Sequence, residues 1–300
     1  MSESLIEAPA ELATGTMAGR KRSDFIYFGL RNKKLIFGLS LELLLVLFAI
    51  IGPMIAKYGP QDFTGAQLRH PDGTYWLGTN YLGQDVFSQL ANGIRESYLI
   101  GALGAVSAAV IGMALGFAAG WRGGILDEIL QMITNIVVMI PSLVLLVVIG
   151  SYLTSKSILF EGTFIGLTTW PWVARAVRAQ TFSLRSREFV EMARLSGKRP
   201  LQIIVSDIAP NMASYLFLVV ILLFGSSMLL AASYDFLGLG PTGTVSLGTM
   251  MNQAQSEAAL FYREWWWFIP PGAVLTAMVV ALLVANVGLD EIFNPKLRDQ

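Results

Sequence analysis

A helix that crosses a bilayer needs about 20 consecutive apolar residues to span a hydrocarbon layer about 30 Å thick. This 300-residue chain has several windows of that length. Residues 35–56 carry one charge, Glu42, whereas residues 98–120, 129–153, 213–233 and 265–287 carry none. Pro141 lies near the middle of the third of these, where it removes a donor, so a kink is expected and the freed carbonyl must find another partner. A shorter sixth window, 162–174, completes the set. Without it the Arg-rich segment after residue 153 would lie outside.

Charged residues make up only 14% of the chain, against roughly 25% in a soluble domain, so much of the surface must face lipid. The 21 Lys and Arg balance the 21 Asp and Glu, which gives no general attraction for nucleic acid. No cysteine is present, which excludes disulfides, thiolate metal sites and a cysteine nucleophile. Residues 1–34 form a polar tail containing Arg20, Lys21 and Arg22. The apolar run after them exceeds the roughly 7–15 residues of a signal-peptide core, so it is read as a retained first span.

Lys and Arg concentrate on the cytoplasmic side of membrane proteins. With six spans and both termini inside, only Lys57, Arg69, Arg95, Lys156 and Arg263 of the 21 fall outside. That asymmetry supports the orientation. Trp265, Trp266 and Trp267 then fall at an outer interface, where indoles prefer to sit. In the second span Gly112, Gly116 and Gly120 recur at four-residue spacing, a small face that lets helix backbones approach closely.

The most informative segment is the inside loop 175–211. Phe189, Met192, Ala193 and Ser196 recur at helical spacing, with Arg187, Glu188, Glu191 and Arg194 on other faces. Gly197 supplies a left-handed stop, and Pro200 suits the first turn of a second helix. Helices this short are marginal alone in water. They need something to pack against, and a dry face offered to the cytosol suggests a protein partner.

These residues resemble the cytoplasmic loop of the integral membrane subunits of ABC importers. That loop begins Glu-Ala-Ala, with a glycine six residues after the Glu and a proline thirteen further on. Glu191, Met192 and Ala193 followed by Gly197 and Pro210 reproduce the spacing, with Met192 for the middle alanine and Ala209 for the usual leucine. Residues 77–89, Leu-Gly-Thr-Asn-Tyr-Leu-Gly-Gln-Asp-Val-Phe-Ser-Gln, are similar to the signature after the first span of the dipeptide/oligopeptide/nickel branch. There Asn80, Gln84 and Gln89 replace an Asp and two Arg, which weakens any ion pairing. Phe236-Leu237-Gly238-Leu239-Gly240 matches the sequence after the fifth span, and Asn294-Pro295-Lys296-Leu297-Arg298 resembles the usual C terminus. The resemblance covers residues 25–300, in order, and is to the second permease subunit, the dipeptide permease C type.

The resemblance implies an all-α membrane protein with the type I importer fold. Residues 35–95 would be the first transmembrane helix and extracytoplasmic loop, and 96–300 a core of five helices with the coupling loop at about 181–211. Glu191, Met192, Ala193, Gly197 and Pro210 would couple to ATPases. The implied partners are a second homologous permease, two cytoplasmic ATPases that bind the ATP and Mg, and an extracytoplasmic substrate-binding protein. The cargo would be di- or oligopeptides, with oligosaccharides the alternative; a nickel path would be expected to show His or carboxylate ligands in the spans.

Other readings fare worse. Gly238, Gly240 and Gly243 satisfy a dinucleotide-binding spacing, but a span precedes them and Pro241 interrupts them, so a turn leaving the membrane is the better account. No G-x-x-x-x-G-K-[ST] occurs, so no phosphate-cradling loop is present and no cofactor is expected in this chain. The spans offer almost no ionisable residues for an enzyme, and only Glu42 and Pro141 hint at an ion-coupled secondary carrier. Glu42 lies near enough to the inner surface to snorkel or to pair with a neighbouring helix. Asp127 and Glu128 suit the N-terminus of the third span. His70 alone makes no metal site.

Overall fold

The computed structural model describes residue 29 and residues 31–153 and 156–293. Most of the 1–34 tail and the 294–298 motif lie outside the described residues. Helix α1, Lys33–Ile55, is capped by the Asn32 side chain, which accepts from the Leu35 N–H at 2.9 Å. A long polar segment leads to Asp85, which accepts from the Ser88 N–H at 3.1 Å and starts α2, Val86–Arg122. At 37 residues, α2 is about 55 Å long. It exceeds the bilayer core, and the polar signature 77–89 runs into its N-terminal end.

The third window divides. Helices α3, Gly124–Met139, and α4, Ser142–Ser151, meet at an angle of 71°. Pro141 has no N–H for the carbonyl of Val137, and that carbonyl instead accepts from Ile140 at 3.2 Å. The expected kink is a break, and beside it an apolar cavity of about 580 Å³ opens between Pro141, Thr168, Trp172, Leu223 and Leu283.

Helix α5, Ile158–Leu184, contains the sixth window. Its 27 residues reach about 40 Å, but it carries Glu161, Arg175 and Arg178. Among the described residues, four helices are long and apolar enough to cross a bilayer, and five if the bent pair is one span. Of the charged residues of α5, Glu161 is buried, Arg178 is half-buried and Arg175 is exposed. The partner of α5 is the glycine face of α2. A Cβ at Gly112 would lie 2.5 Å from that of Val173, one at Gly116 2.8 Å from that of Val177, and one at Gly120 2.7 Å from that of Thr181. The four-residue glycine repeat is thus a close-packing face for one particular helix.

After the inner segment described below, α9, Ala213–Tyr234, ends in a π-helical turn, Asp235–Leu239, where Gly238 takes φ +79°. The Phe-Leu-Gly-Leu-Gly motif is therefore a turn out of the long helix. Helix α10, Leu247–Ser256, follows, with Ser246 and Thr249 forming a reciprocal N-terminal cap. The final helix, α11, is Trp265–Phe293. It runs beside α1, where a Cβ at Gly38 would meet the Ala285 backbone at 2.5 Å and one at Gly288 the Leu35 backbone at 2.5 Å.

One feature differs from the sequence expectation. Of the three tryptophans only Trp265 is exposed; Trp266 and Trp267 are buried. Trp266 donates its indole N–H to the carbonyl of Thr79 at 3.2 Å and packs on His70, so the loop before α2 has claimed an indole expected at the interface. That loop also holds Asn80 and Gln84, and the first turn of α2 adds Gln89, all buried. Asn80 donates to Gln84 Oε1 at 2.9 Å, Gln89 donates to the same oxygen at 2.8 Å, and Gln84 N–H donates back to Asn80 Oδ1 at 2.8 Å. Neutral amides thus bond to one another at the positions where substitution for an Asp and two Arg led ion pairing to be expected weakened.

Candidate functional site

The inner loop is anchored before it begins. Arg178 of α5 pairs with Asp127 of α3 at 2.5 Å. Arg185 donates to the carbonyls of Gly120 and Trp121 at 3.2 Å each, which serves acceptors left open at the end of α2. Helix α6, Glu188–Leu195, then sets Glu188 and Glu191 in its first turn and Arg194 in its last, matching the helix dipole. Arg194 lies over the Trp121 ring, 4.9 Å from its centre.

Val190 and Ala193 point inward from α6. They share an apolar core with Val173 and Val177 of α5 and with Ile203, Ile208 and Met212. Of the dry face expected to be offered to a partner, Phe189 and Met192 face out, but Ala193 is corrected to the inward side, where it is buried beside Val190. The spacing Val190–Ala193 selects the face. Glu191 is exposed as well.

The end of α6 closes in two hydrogen bonds, Gly197 N–H to the Arg194 carbonyl at 3.0 Å and Lys198 N–H to that of Ala193 at 3.2 Å. This terminator requires a left-handed residue, and Gly197 has φ +75°. Helix α7, Pro200–Ile203, starts on Pro200, and Gln202 folds back to accept from the Arg199 N–H at 2.9 Å. A π-helical turn, Ile204–Ile208, and α8, Ala209–Asn211, complete the loop. Ala209 N–H reaches the Ile204 carbonyl, which widens the helix just before Pro210, a residue that could not serve a regular α-turn.

Lys198, in the turn after α6, clasps Asp207 of the π-helical turn at 2.9 and 3.0 Å. The Ser206 hydroxyl and the Lys198 ammonium hold the Asp207 carboxyl below the usual carboxylate range. The clasp is therefore present at neutral pH and is lost as acid protonates Asp207.

Outward, the loop offers Met192 at 64%, Leu195 at 83%, Leu201 at 71% and Val205 at 63% exposure. Sequence reading singled out Met192 alone of these. Leu195 stands one turn after it, a periodicity that would have revealed it. Elsewhere, Glu42 lines a cavity of about 540 Å³ with Arg95 and Tyr98 of α2, so it faces a neighbouring helix. Among the described residues no group of three or more His, Cys, Asp or Glu assembles that could hold a metal.

Long apolar helices, a broken span and a folded loop clasped to their inner ends define a polytopic helical membrane permease. Residues 112–299 match the family described as the binding-protein-dependent transport system inner membrane component. Residues 30–71 match the N-terminal transmembrane domain of oligopeptide transport permease C. The chain belongs to this family of membrane permease components of ABC transporters. It is 33% identical over 272 residues to the oligopeptide transport system permease protein OppC of Mycobacterium tuberculosis, covering 90% of this chain and 92% of that one. It is 32% identical over 272 residues to the protein of the same name from Bacillus subtilis, covering 89% and 87%.

Proposed function

We propose that this chain is the membrane-spanning permease subunit of an ABC importer for di- or oligopeptides, driven by ATP that partner subunits hydrolyse. One observation carries the reading: a loop helix is fixed by Val190, Ala193 and the Lys198–Asp207 clasp while Met192 and Leu195 stay uncovered. A face rigid toward the bundle and apolar toward solvent suits a mechanical contact with a second protein. Glu191 flanks this face, and Gly197 and Pro210 fix the ends of the segment. Closure of an ATPase pair would push α6, and the core behind it would pass the movement to α2 and α5 as a rigid body.

The arrangement comprises six membrane helices, with α3 and α4 forming one broken span and α5 another, and both termini cytoplasmic. A second homologous permease, two ATPases and an external binding protein complete the machine. ATP and Mg belong to the ATPases, and this chain performs no catalysis. Both relatives are named for oligopeptides, which favours peptides over the oligosaccharide alternative. The test is uptake by vesicles containing the reconstituted complex. Labelled peptide should accumulate only with ATP inside and loaded binding protein outside. Accumulation of oligosaccharide but not peptide would overturn the substrate, and uptake driven by an ion gradient without ATP would overturn the mechanism.

A further inference from the structure

The turn between α10 and α11 holds Leu260, Phe261 and Tyr262 in the open. All three are exposed, Phe261 at 81%. Successive large apolar residues left in water forfeit the gain of burial, and such a run on a surface marks a place of contact. The Phe261 and Tyr262 rings meet edge to face with centroids 5.3 Å apart. Trp265, exposed in the first turn of α11, adds a fourth large side chain.

The backbone fixes this display. Ala259 is fully buried; its N–H donates to the Ala254 carbonyl at 2.9 Å, and its own carbonyl accepts from the Glu264 N–H at 2.8 Å. Between those ties, the Phe261 and Tyr262 N–H groups both donate to the Ala258 carbonyl, at 2.9 and 3.1 Å. Ala258 at φ +54° and Arg263 at φ +64° bracket the run, in the left-handed region that residues with a side chain seldom adopt. Strain of this kind persists only where the surroundings over-determine it. The turn is therefore a fixed platform for its three side chains.

The helices set its height in the bundle. A Cβ at Gly38 would lie 2.7 Å from the Ala281 carbonyl and one at Gly288 2.5 Å from the Leu35 nitrogen, so α1 and α11 run antiparallel and α11 starts at the end where α1 stops. A Cβ at Gly52 would meet that of Ala91 at 2.8 Å, which brings the start of α2 to the same end. Both α1 and α11 are long and apolar enough to cross a bilayer, so this end stands at a bilayer surface. Residues 260–262 precede Trp265 by three to five positions, a reach of at most about 10–17 Å.

A protein or the bilayer itself could cover such a patch, and area separates the two. Three side chains of this size offer on the order of 400 Å², about half of the 800 Å² that each partner gives to a stable protein interface. Lipid sets no such threshold, because the layer that meets the turn is continuous with the layer around α11. Composition agrees: tyrosine and tryptophan favour the headgroup level, and phenylalanine and leucine the acyl boundary beneath it. Arg263, exposed beside them, offers a guanidinium to phosphate oxygens.

We propose that the turn 258–263 is a lipid anchor, in which Leu260, Phe261 and Tyr262 enter the boundary between headgroups and acyl chains and hold α10 and the start of α11 at a fixed depth. The anchor rests on the membrane residence of the chain, and is independent of its cargo and of its coupling to ATPases.

The test uses the full chain assembled with cysteine-free partner subunits in lipid nanodiscs. The chain has no cysteine, so Phe261→Cys can carry a single nitrobenzoxadiazole fluorophore, with Asp62→Cys, exposed in the polar segment before α2, as the watered reference. An anchored turn predicts blue-shifted emission at 261 that is largely lost when lipids carrying a nitroxide just below the headgroup are included. Labelled Leu260→Cys gives a second reading with the same expectation, so a failure of assembly at 261 leaves the turn testable. Emission that nitroxide lipids quench no more strongly than at 62 would overturn the proposal. So would blue-shifted emission insensitive to those lipids, or a shift that appears only when external binding protein is added, since a protein would then cover the turn.

Discussion

At the residue scale, two glycines are required for opposite reasons, one for want of space and one for its backbone angle. Gly116 sits in a four-residue repeat, and its Cβ position lies 2.8 Å from both the Ala174 carbonyl and the Val177 Cβ. Gly116→Val should therefore cost about 1–3 kcal/mol through overpacking, read as a lower melting temperature of the purified chain. Gly197 has open space around its Cβ position, so its penalty is purely conformational. Both were legible in the sequence because spacing and turn chemistry are local. The amide network was half legible: the departures at Asn80 and Gln84 stood out, but not their mutual hydrogen bonds. Asn80→Asp should destabilise the protein by about 3–5 kcal/mol through a buried unpaired charge, with relief as acid protonates it. Combining it with Gln84→Arg, which restores the family's pair, should recover part of that loss in a double-mutant cycle. Additive single effects would show that the two positions do not interact.

At the element scale, hydropathy located α1, α2, α9 and α11 well, since uninterrupted apolar length is itself the constraint. It failed where tertiary contact decides. The window 129–153 reads as one kinked span, yet Pro141 separates two helices at 71°. The window 162–174 understates α5, whose polar ends are carried by neighbours rather than by its own composition. Helix α10 was missed altogether, although Ser246 caps a stretch with Leu247, Met250 and Ala254 at helical spacing; it is too short for a span and reads as part of a connecting loop. In the inner loop the helices and the Gly197 stop were legible, but the inward face was not, because Val190 and Met192 are equally apolar and only the bundle chooses between them. An eight-residue helix such as α6 is unstable alone. A peptide spanning residues 186–212 should therefore be mostly coil by circular dichroism in water, and a strongly helical spectrum would show that the loop does not depend on α2 and α5.

At the scale of the whole molecule, the proposed function makes the permease a rigid relay between a membrane path and an external motor. Its orientation is testable directly, since the chain has no cysteine of its own. A cysteine placed at the exposed position Asp62 should react with an impermeant reagent in intact cells, and ones at Ser4 and Asp299 should not; the reverse pattern would invert the topology. The isolated chain should bind no ATP in an equilibrium assay, and saturable binding would end the division of labour between subunits. In the proposed function, transmission of ATPase closure to the bundle rests on the loop 175–211. Valine at Gly197 would strain a left-handed backbone by about 1–2 kcal/mol, and alanine at Glu191 would remove an exposed charge beside the contact face. The decisive experiment is ATP-dependent peptide uptake by vesicles containing the complex with Gly197→Val and Glu191→Ala combined, alongside its membrane abundance and its recovery of ATPase subunits. A transmitting loop predicts normal abundance, weakened ATPase recovery and uptake reduced to background. Wild-type uptake from the double mutant would contradict it.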